Sequence, residues 1–145
     1  MKQIGQHAVV IGASMGGLLA ARALADYGQM RLKQRQPRLA HEKFSRARET
    51  FAQQASASEE MSRLFVLETL CAEADAHRAY SNWEPAWQCL QQARPLALAL
   101  DDEHPLRAVF YERSAWYHFD VWRIDRAEAD YASARKIREA NDRAG

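Results

Sequence analysis

Apolar residues recur along most of the chain with the spacing of one face of an α-helix. The clearest example lies over residues 127–134, where small, large and small side chains follow one another at i, i+4 and i+7. The same pattern occurs over 86–93, which is 41 residues earlier, and again over 40–47. Such recurrence is typical of stacked helical hairpins, because each hairpin buries its apolar face against the next. The nine positions are Ala40, Phe44, Ala47, Ala86, Leu90, Ala93, Ala127, Tyr131 and Ala134.

The periodicity predicts six helices joined by short connections. Their predicted ranges are near 15–34, 37–54, 59–80, 84–99, 105–122 and 126–141. Pro37 and Pro105 suit the first turn of a helix, where the missing N–H costs nothing. Ser56, Ser81 and Asp125 are each followed three residues later by a glutamate, which predicts capping boxes. Because the connections are short, neighbouring helices should be antiparallel and form three hairpins in a row.

The first 17 residues differ in character from the rest of the chain. A short run over 7–11 that ends in β-branched residues is followed directly by the glycine-rich residues 12–17. This order predicts a strand, a glycine turn and a helix that begins near Leu18. We therefore divide the chain into a glycine-rich N-terminal segment, 1–17, and a helical-repeat domain, 18–145. The expected fold class is mainly all-α.

Composition agrees with a folded helical domain. The 145 residues are 48% hydrophobic with a net charge of +1, which is typical of a globular protein and gives no global reason to expect a nucleic-acid or membrane partner. Residues 31–48 hold seven Lys or Arg against one acid, Glu42. The one aromatic residue there, Phe44, belongs to the apolar pattern, so the segment lacks the interleaved aromatics that a nucleic-acid stacking platform would require, and a solvated helix face is favoured. No stretch reaches the apolar length of a membrane-spanning helix.

Residues that carry metal or nucleophilic chemistry show no diagnostic spacing. Cys71 and Cys89 lie in different predicted helices, which favours buried, reduced thiols in a cytoplasmic protein. The five histidines form no metal-ligand cluster by spacing, and His77 and His118 hold equivalent positions in the pattern, which indicates an architectural role. We therefore expect a non-catalytic protein without a metal or cofactor.

Over about residues 18–145 the chain resembles the tetratricopeptide repeat family. The first helix of that repeat carries a large residue, then Leu-Gly and Tyr, and the second carries Ala-x3-Phe-x2-Ala. Gly28 preserves the family's glycine, whereas Ala74 and Ala115 replace it. The three units are 46 and 41 residues apart instead of about 34, which implies longer helices or linkers. The resemblance implies a short α-solenoid of stacked antiparallel hairpins.

In that family, first-helix side chains line a concave groove that binds peptides. The resemblance therefore implies a protein or peptide partner, with Trp116 and Phe119 as aromatic anchors beside charged groups. The alternative is that these two aromatics pack against the neighbouring hairpin. Trp83, Trp87 and Trp122 are assigned to packing at hairpin junctions. The predicted partner-binding residues are Glu68, Asp75, Arg78, Glu112, Trp116 and Phe119.

These expectations describe a scaffold or protein-binding module. Helical repeats of this longer kind accompany bacterial regulators and signalling enzymes, and by that analogy we expect a regulatory role. Ile137 and Ala140 continue the last apolar stripe, and residues 141–145 look like an inter-repeat linker. We therefore expect an array that continues further or is completed by self-association through its C-terminal face.

Residues 8–28 separately resemble the opening of FAD-dependent oxidoreductases and monooxygenases. There a strand enters a glycine-rich turn, and the following helix N-terminus receives the dinucleotide pyrophosphate. Gly12 and Gly17 match the first and third glycines of that motif, and Ser14 replaces the second. A truncated or vestigial FAD- or NAD-binding oxidoreductase is therefore one alternative, although the acidic residue that should follow to hold the ribose is missing. A secreted helical protein with a mature N-terminus at Asp26 is the other.

Overall fold

The described part of the protein is entirely helical. The computed structural model describes the backbone of residues 2–54 and 58–145 and the side chains of 16–54 and 58–145. Its helices are α1 (Lys2–Lys33), α2 (Pro37–Ala52), α3 (Glu59–Ala79), α4 (Trp83–Leu98), α5 (Pro105–Asp120) and α6 (Ile124–Ala144). These residues contain no strand, which confirms the all-α class. The bounds of α2 to α6 lie within three residues of the predicted ones.

Helix α1 covers the segment for which the sequence predicts a strand and a glycine turn. It runs unbroken from Lys2 to Lys33, so the predicted strand and turn are not formed, and the helix crosses the expected boundary after Gly17. The physical reason is hydrogen bonding. A lone strand leaves its N–H and C=O groups without a neighbouring strand, whereas a helix satisfies them within the segment.

The helices pack most extensively in consecutive pairs, α1 with α2, α3 with α4 and α5 with α6. Helix α3 also contacts α1, α2 and α5, so it lies at the centre of the fold. Short side chains at the contacts allow the helix axes to approach closely. Tyr131, at the third large position of the pattern, departs from it because its side chain is 41% exposed. The small residues of the pattern are all buried, namely Ala40, Ala47, Ala86, Ala93, Ala127 and Ala134.

The connection inside each helix pair has the same conformation. The positive-φ residues of the described chain are Arg35 (58°), Ser81 (60°) and Trp122 (62°), one in each connection. Their spacing of 46 and 41 residues equals that of the buried alanines. In each connection the next N–H donates to the carbonyl five residues earlier, for example Asn82 N to His77 O at 2.9 Å. This bond satisfies a free carbonyl at the end of the first helix, as in a left-handed C-terminal cap.

These connections replace two of the predicted capping boxes. Ser81 occupies the left-handed position, and α4 begins after Asn82. Helix α6 begins after Arg123, before the predicted cap at Asp125. The predictions at Ser81 and Asp125 are therefore wrong, because the tight turn fixes where the second helix begins. The prediction at Ser56 falls outside the described residues, and the N-cap of α3 is Ser58, whose Oγ accepts from Met61 N at 3.1 Å.

The main core lies between α3, α4 and α5. Trp83 and Trp87 pack against its edge as predicted, but Trp122 is 87% exposed and its assignment to packing is wrong. Cys71 and Cys89 are both buried and unbonded, as predicted. Burial raises the pKa of each thiol to about 12, so both stay protonated at neutral pH. Among the described helices none is long and apolar enough to cross a membrane.

Candidate functional site

Four of the six predicted partner-binding residues lie together on α3 and α5. Two guanidinium groups lie over the ring of Trp116, that of Arg113 at 4.3 Å from the ring centroid and that of Arg78 at 5.2 Å. Arg78 and Trp116 line a small open cavity of about 220 Å³ together with Phe119 and Asp120. We call this cluster the α3–α5 site. Its members are Asp75, Arg78, Arg113, Trp116, Phe119 and Asp120.

Helical spacing explains how these side chains come together. Asp75 and Arg78 are three residues apart on α3, so they share one face of that helix. Arg113, Trp116 and Phe119 follow at the same interval on α5. Because α3 packs directly against α5, the two rows of side chains meet. Sequence reasoning missed Arg113, although the interval of three from Trp116 was a signal that could have identified it.

A network of ion pairs fixes the two arginines. The Nε of Arg113 lies 2.6 Å from one carboxylate oxygen of Asp75, and the Nε of Arg78 lies 3.7 Å from the other. Arg78 also donates from Nη1 to Asp120 Oδ2 at 2.6 Å. Burial raises the pKa of Asp75 to about 6, although the positive charges of Arg113 and Arg78 act in the opposite direction. The network therefore holds both guanidinium groups beside Trp116 before any ligand arrives.

The aromatic residues of the site are accessible to different degrees. Phe119 is 59% exposed and does not belong to the core, whereas Trp116 is half-buried under the two arginines. An exposed aromatic ring next to a fixed and partly desolvated one is typical of a contact surface. The alternative that both aromatics pack against the neighbouring hairpin therefore does not hold for Phe119.

The remaining two predicted residues lie outside this site. Glu68 of α3 accepts from Nη1 of Arg22 in α1, at 3.2 Å to each carboxylate oxygen. Glu112 of α5 accepts two bonds from Arg138 of α6, from Nε at 3.0 Å and from Nη2 at 3.1 Å. Both carboxylates are therefore engaged in pairs between helices. The projected register placed them in one groove with the aromatics, but the helix packing directs them to other neighbours.

Compared with known proteins, the chain matches no family model, no curated protein and no solved structure. Its function must therefore be inferred from the chemistry of its own side chains. Three further groups contain residue types that can bind ligands or catalyse reactions: a histidine–glutamate cluster, a serine–aspartate–histidine group and the glycines of α1.

The histidine–glutamate cluster lies between α2 and α3. Glu73 Oε1 lies 3.8 Å from His41 Nδ1 and 3.6 Å from His77 Nε2. Arg48 of α2 contacts the other oxygen of Glu73. Burial raises the pKa of Glu73, but the contacts of its carboxylate with His77 and Arg48 outweigh burial and hold that pKa below its ordinary value. Sequence spacing missed the cluster, because His41 and His77 come from different helices.

A serine, an aspartate and a histidine also meet between α5 and α6. Ser114 Oγ donates to Asp130 Oδ2 at 2.6 Å, and His118 Nε2 lies 3.9 Å from the same oxygen. In a nucleophilic triad the histidine contacts the serine and the aspartate orients the histidine. Here the aspartate accepts the serine hydroxyl directly, and Ser114 and His118 are both buried. Burial lowers the pKa of His118. Because the aspartate and not the histidine contacts the serine, we assign the group to structure.

The glycines that resemble a dinucleotide-binding motif lie within α1. Gly17 is in the middle of that helix, and a Cβ added there would meet the side chain of Gln54. A pyrophosphate binds at a helix N-terminus, where N–H groups are free, but in mid-helix they are already bonded to carbonyls. Gly12 and Ser14 lie outside the residues whose side chains are described.

The C-terminal face carries a further open groove. It has a volume of about 740 Å³, and it is formed by α5, α6 and the connection that precedes α5. Ile137 is buried and Ala140 is half-buried, so the last apolar stripe is covered more fully than the sequence indicates. The groove is lined by Asp102, Glu103, Arg107, Tyr111, Ser133, Lys136, Ile137, Ala140, Arg143 and Ala144. Half of these residues are charged, and they contribute no exposed aromatic ring comparable to Phe119.

Proposed function

We propose that this protein is a non-catalytic interaction module of the tetratricopeptide-like helical-repeat class, and that it binds a peptide segment of a partner protein at the α3–α5 site. One observation carries the proposal. Phe119 is exposed directly beside a tryptophan that two ion-paired arginines hold in place. Interaction surfaces are enriched in such aromatic and arginine anchors.

The repeat class is supported by the three equivalent connections. Left-handed residues recur at Arg35, Ser81 and Trp122 with the spacing of the buried alanines. Helix α3 contacts both α1 and α5, as is typical when the first helices of successive repeats lie side by side. In such an array the first helices provide the ligand-binding face, and α3 and α5 are the helices that carry the site.

The chemistry of the site favours a ligand with an apolar side chain next to a carboxylate. The apolar side chain would pack on Phe119 and on the accessible part of Trp116. The side chains of Arg78 and Asp120 are each 27% exposed, so a ligand carboxylate can reach the Arg78 guanidinium and compete with Asp120. Because the ion pairs already order both arginines, binding loses little side-chain entropy, which favours affinity.

A peptide-display selection against the purified chain tests this proposal. We expect enriched peptides with a large apolar residue beside an acidic one, and we expect Phe119→Ala to weaken their binding by at least about tenfold, as for an interface anchor. Tyr131→Ala is the matched control, because it removes an aromatic ring that is 41% exposed on α6. Equal effects of the two substitutions, or none for Phe119→Ala, would overturn the assignment of the site.

A further inference from the structure

Two imidazole nitrogens and one carboxylate oxygen converge between α2 and α3. One ligand atom from each of His41, Glu73 and His77 lies within 4.8 Å of the other two. We propose that these three residues form a binding site for a divalent transition-metal ion such as Zn²⁺. Two histidines and one glutamate form a known ligand set for zinc with an open fourth position. This site is separate from the α3–α5 site and does not depend on it.

The distances suit a metal ion after a small adjustment. Zinc binds histidine nitrogen and carboxylate oxygen at about 2.0–2.2 Å in tetrahedral geometry, which places neighbouring ligand atoms roughly 3.3–3.5 Å apart. The distances from Glu73 Oε1 to His77 Nε2 and His41 Nδ1 are 3.6 Å and 3.8 Å. Glu73 and His77 are four residues apart on α3, so the helix itself holds them on one face. The side chain of His41 is 31% exposed and has room for the remaining movement.

Neighbouring side chains orient the ligands in the way that metal sites require. The other ring nitrogen of His77, Nδ1, lies 2.7 Å from the hydroxyl of Tyr80, which directs Nε2 towards Glu73. Arg48 contacts the second oxygen of Glu73 and so leaves Oε1 to face the two histidines.

The site is accessible from solvent. An open cavity of about 510 Å³ lies beside it, which provides an entry path and room for a water molecule as the fourth ligand. Imidazole ligands favour zinc, nickel, copper and cobalt over calcium and magnesium, which prefer sites made only of oxygen. The positive charge of Arg48 further disfavours cations held by charge alone. The cavity is lined by Arg38, His41, Glu42, Tyr80, Ser81 and Asn82.

Titration of the chelator-treated, tag-free full chain with Co²⁺ tests this proposal, because tetrahedral Co²⁺ has intense visible absorption bands. We expect saturation at one equivalent, displacement by Zn²⁺ and no competition by Mg²⁺. His41→Gln and His77→Gln should each weaken binding by at least about tenfold, as loss of a ligand does more than loss of a supporting group. His104→Asn is the matched control, since it removes a histidine elsewhere, and asparagine can replace His104 as the N-cap of α5.

Two results would overturn the site. One is the absence of saturable Co²⁺ binding, and the other is binding that His41→Gln and His104→Asn reduce equally. Circular dichroism checks that each variant is folded. If His77→Gln unfolds because His77 is buried, the partly exposed His41 decides the outcome. Zn²⁺ should also raise the melting temperature of the wild-type chain but not that of His41→Gln, since only a ligand that binds the folded state stabilises it.

Discussion

Two glycines of α1 should respond in opposite directions to the same substitution. A Cβ added at Gly16 has nothing within 4 Å, so Gly16→Ala gains only the higher helix propensity of alanine. That gain is about 0.8–1 kcal/mol in an exposed helix. A Cβ added at Gly28 would lie 2.8 Å from Cε1 of Phe44 and 3.0 Å from Cδ1 and Cζ. Phe44 is 1% exposed and is enclosed by small side chains of α2 and α3, so its ring cannot turn away freely.

The overlap at Gly28 outweighs the gain in helix propensity. Forcing an extra methyl group into a packed core costs about 1–3 kcal/mol, from which the propensity gain is subtracted. We expect Gly28→Ala to lower the free energy of unfolding by about 1 kcal/mol and Gly16→Ala to raise it by a similar amount. Urea unfolding of the wild type and both variants measures these changes, provided that the free energy of unfolding falls with urea concentration at the same slope in all three.

A double substitution isolates the contact between Gly28 and Phe44. The second unit combines Ala74 with Leu90 at the equivalent positions, so Gly28→Ala together with Phe44→Leu should couple favourably in a double-mutant cycle. If Gly28→Ala stabilised the protein as much as Gly16→Ala, the close approach of α1 to Phe44 would be refuted.

Three further predictions follow from the site and the connections. At pH values between the ordinary pKa of Asp75, 3.8, and its folded value of about 6, the Asp75 carboxyl binds a proton when the chain folds. The free energy of unfolding of the wild type should therefore rise relative to that of Asp75→Asn as pH falls from 7 to 4, by at most about 3 kcal/mol. Urea unfolding of both proteins at several pH values measures this difference. Trp122→Gly should raise the melting temperature, because Trp122 is exposed and glycine adopts its positive φ without steric cost. The control is Ala99→Gly at the C-cap of α4, where φ is −78°; it should lower the melting temperature, because glycine there only loses more conformational freedom on folding. Trp116→Ala should lower the free energy of unfolding by about 1–2 kcal/mol through lost cation–π contacts, and a loss above about 4 kcal/mol would assign the ring to the core.

The helices were predicted well where the apolar periodicity agrees with the prolines that mark the start of a helix. Pro37 and Pro105 begin α2 and α5 as expected, because proline suits the first turn of a helix. The strand over residues 7–11 was predicted from a local β-branched run, but strand formation depends on a partner strand, which local composition does not report. The connections were missed because their left-handed positions hold Arg35, Ser81 and Trp122 instead of the glycine that signals such a cap.

The site residues divide in the same way. Asp75, Arg78, Trp116 and Phe119 could be predicted to share a surface, because each pair lies on one helix face and the repeat register aligns the two helices. Helix register alone does not determine which neighbour a charged side chain selects, so the pairing of Glu68 with Arg22 and of Glu112 with Arg138 was not predicted. The histidine–glutamate cluster depends on the approach of α2 to α3 and leaves only a weak trace in the sequence, the i, i+4 pair of glutamate and histidine on α3.

The most direct test of the proposed function follows the indole N–H signals of the four tryptophans by NMR while a selected peptide is added. Single substitutions assign the signals of Trp83, Trp87, Trp116 and Trp122. If the peptide binds at the α3–α5 site, the signal of Trp116 should shift most and saturate with the peptide, while those of Trp83 and Trp87 at the core edge should stay in place. Saturable binding that shifts Trp83 or Trp87 and leaves Trp116 unchanged would contradict the proposed site.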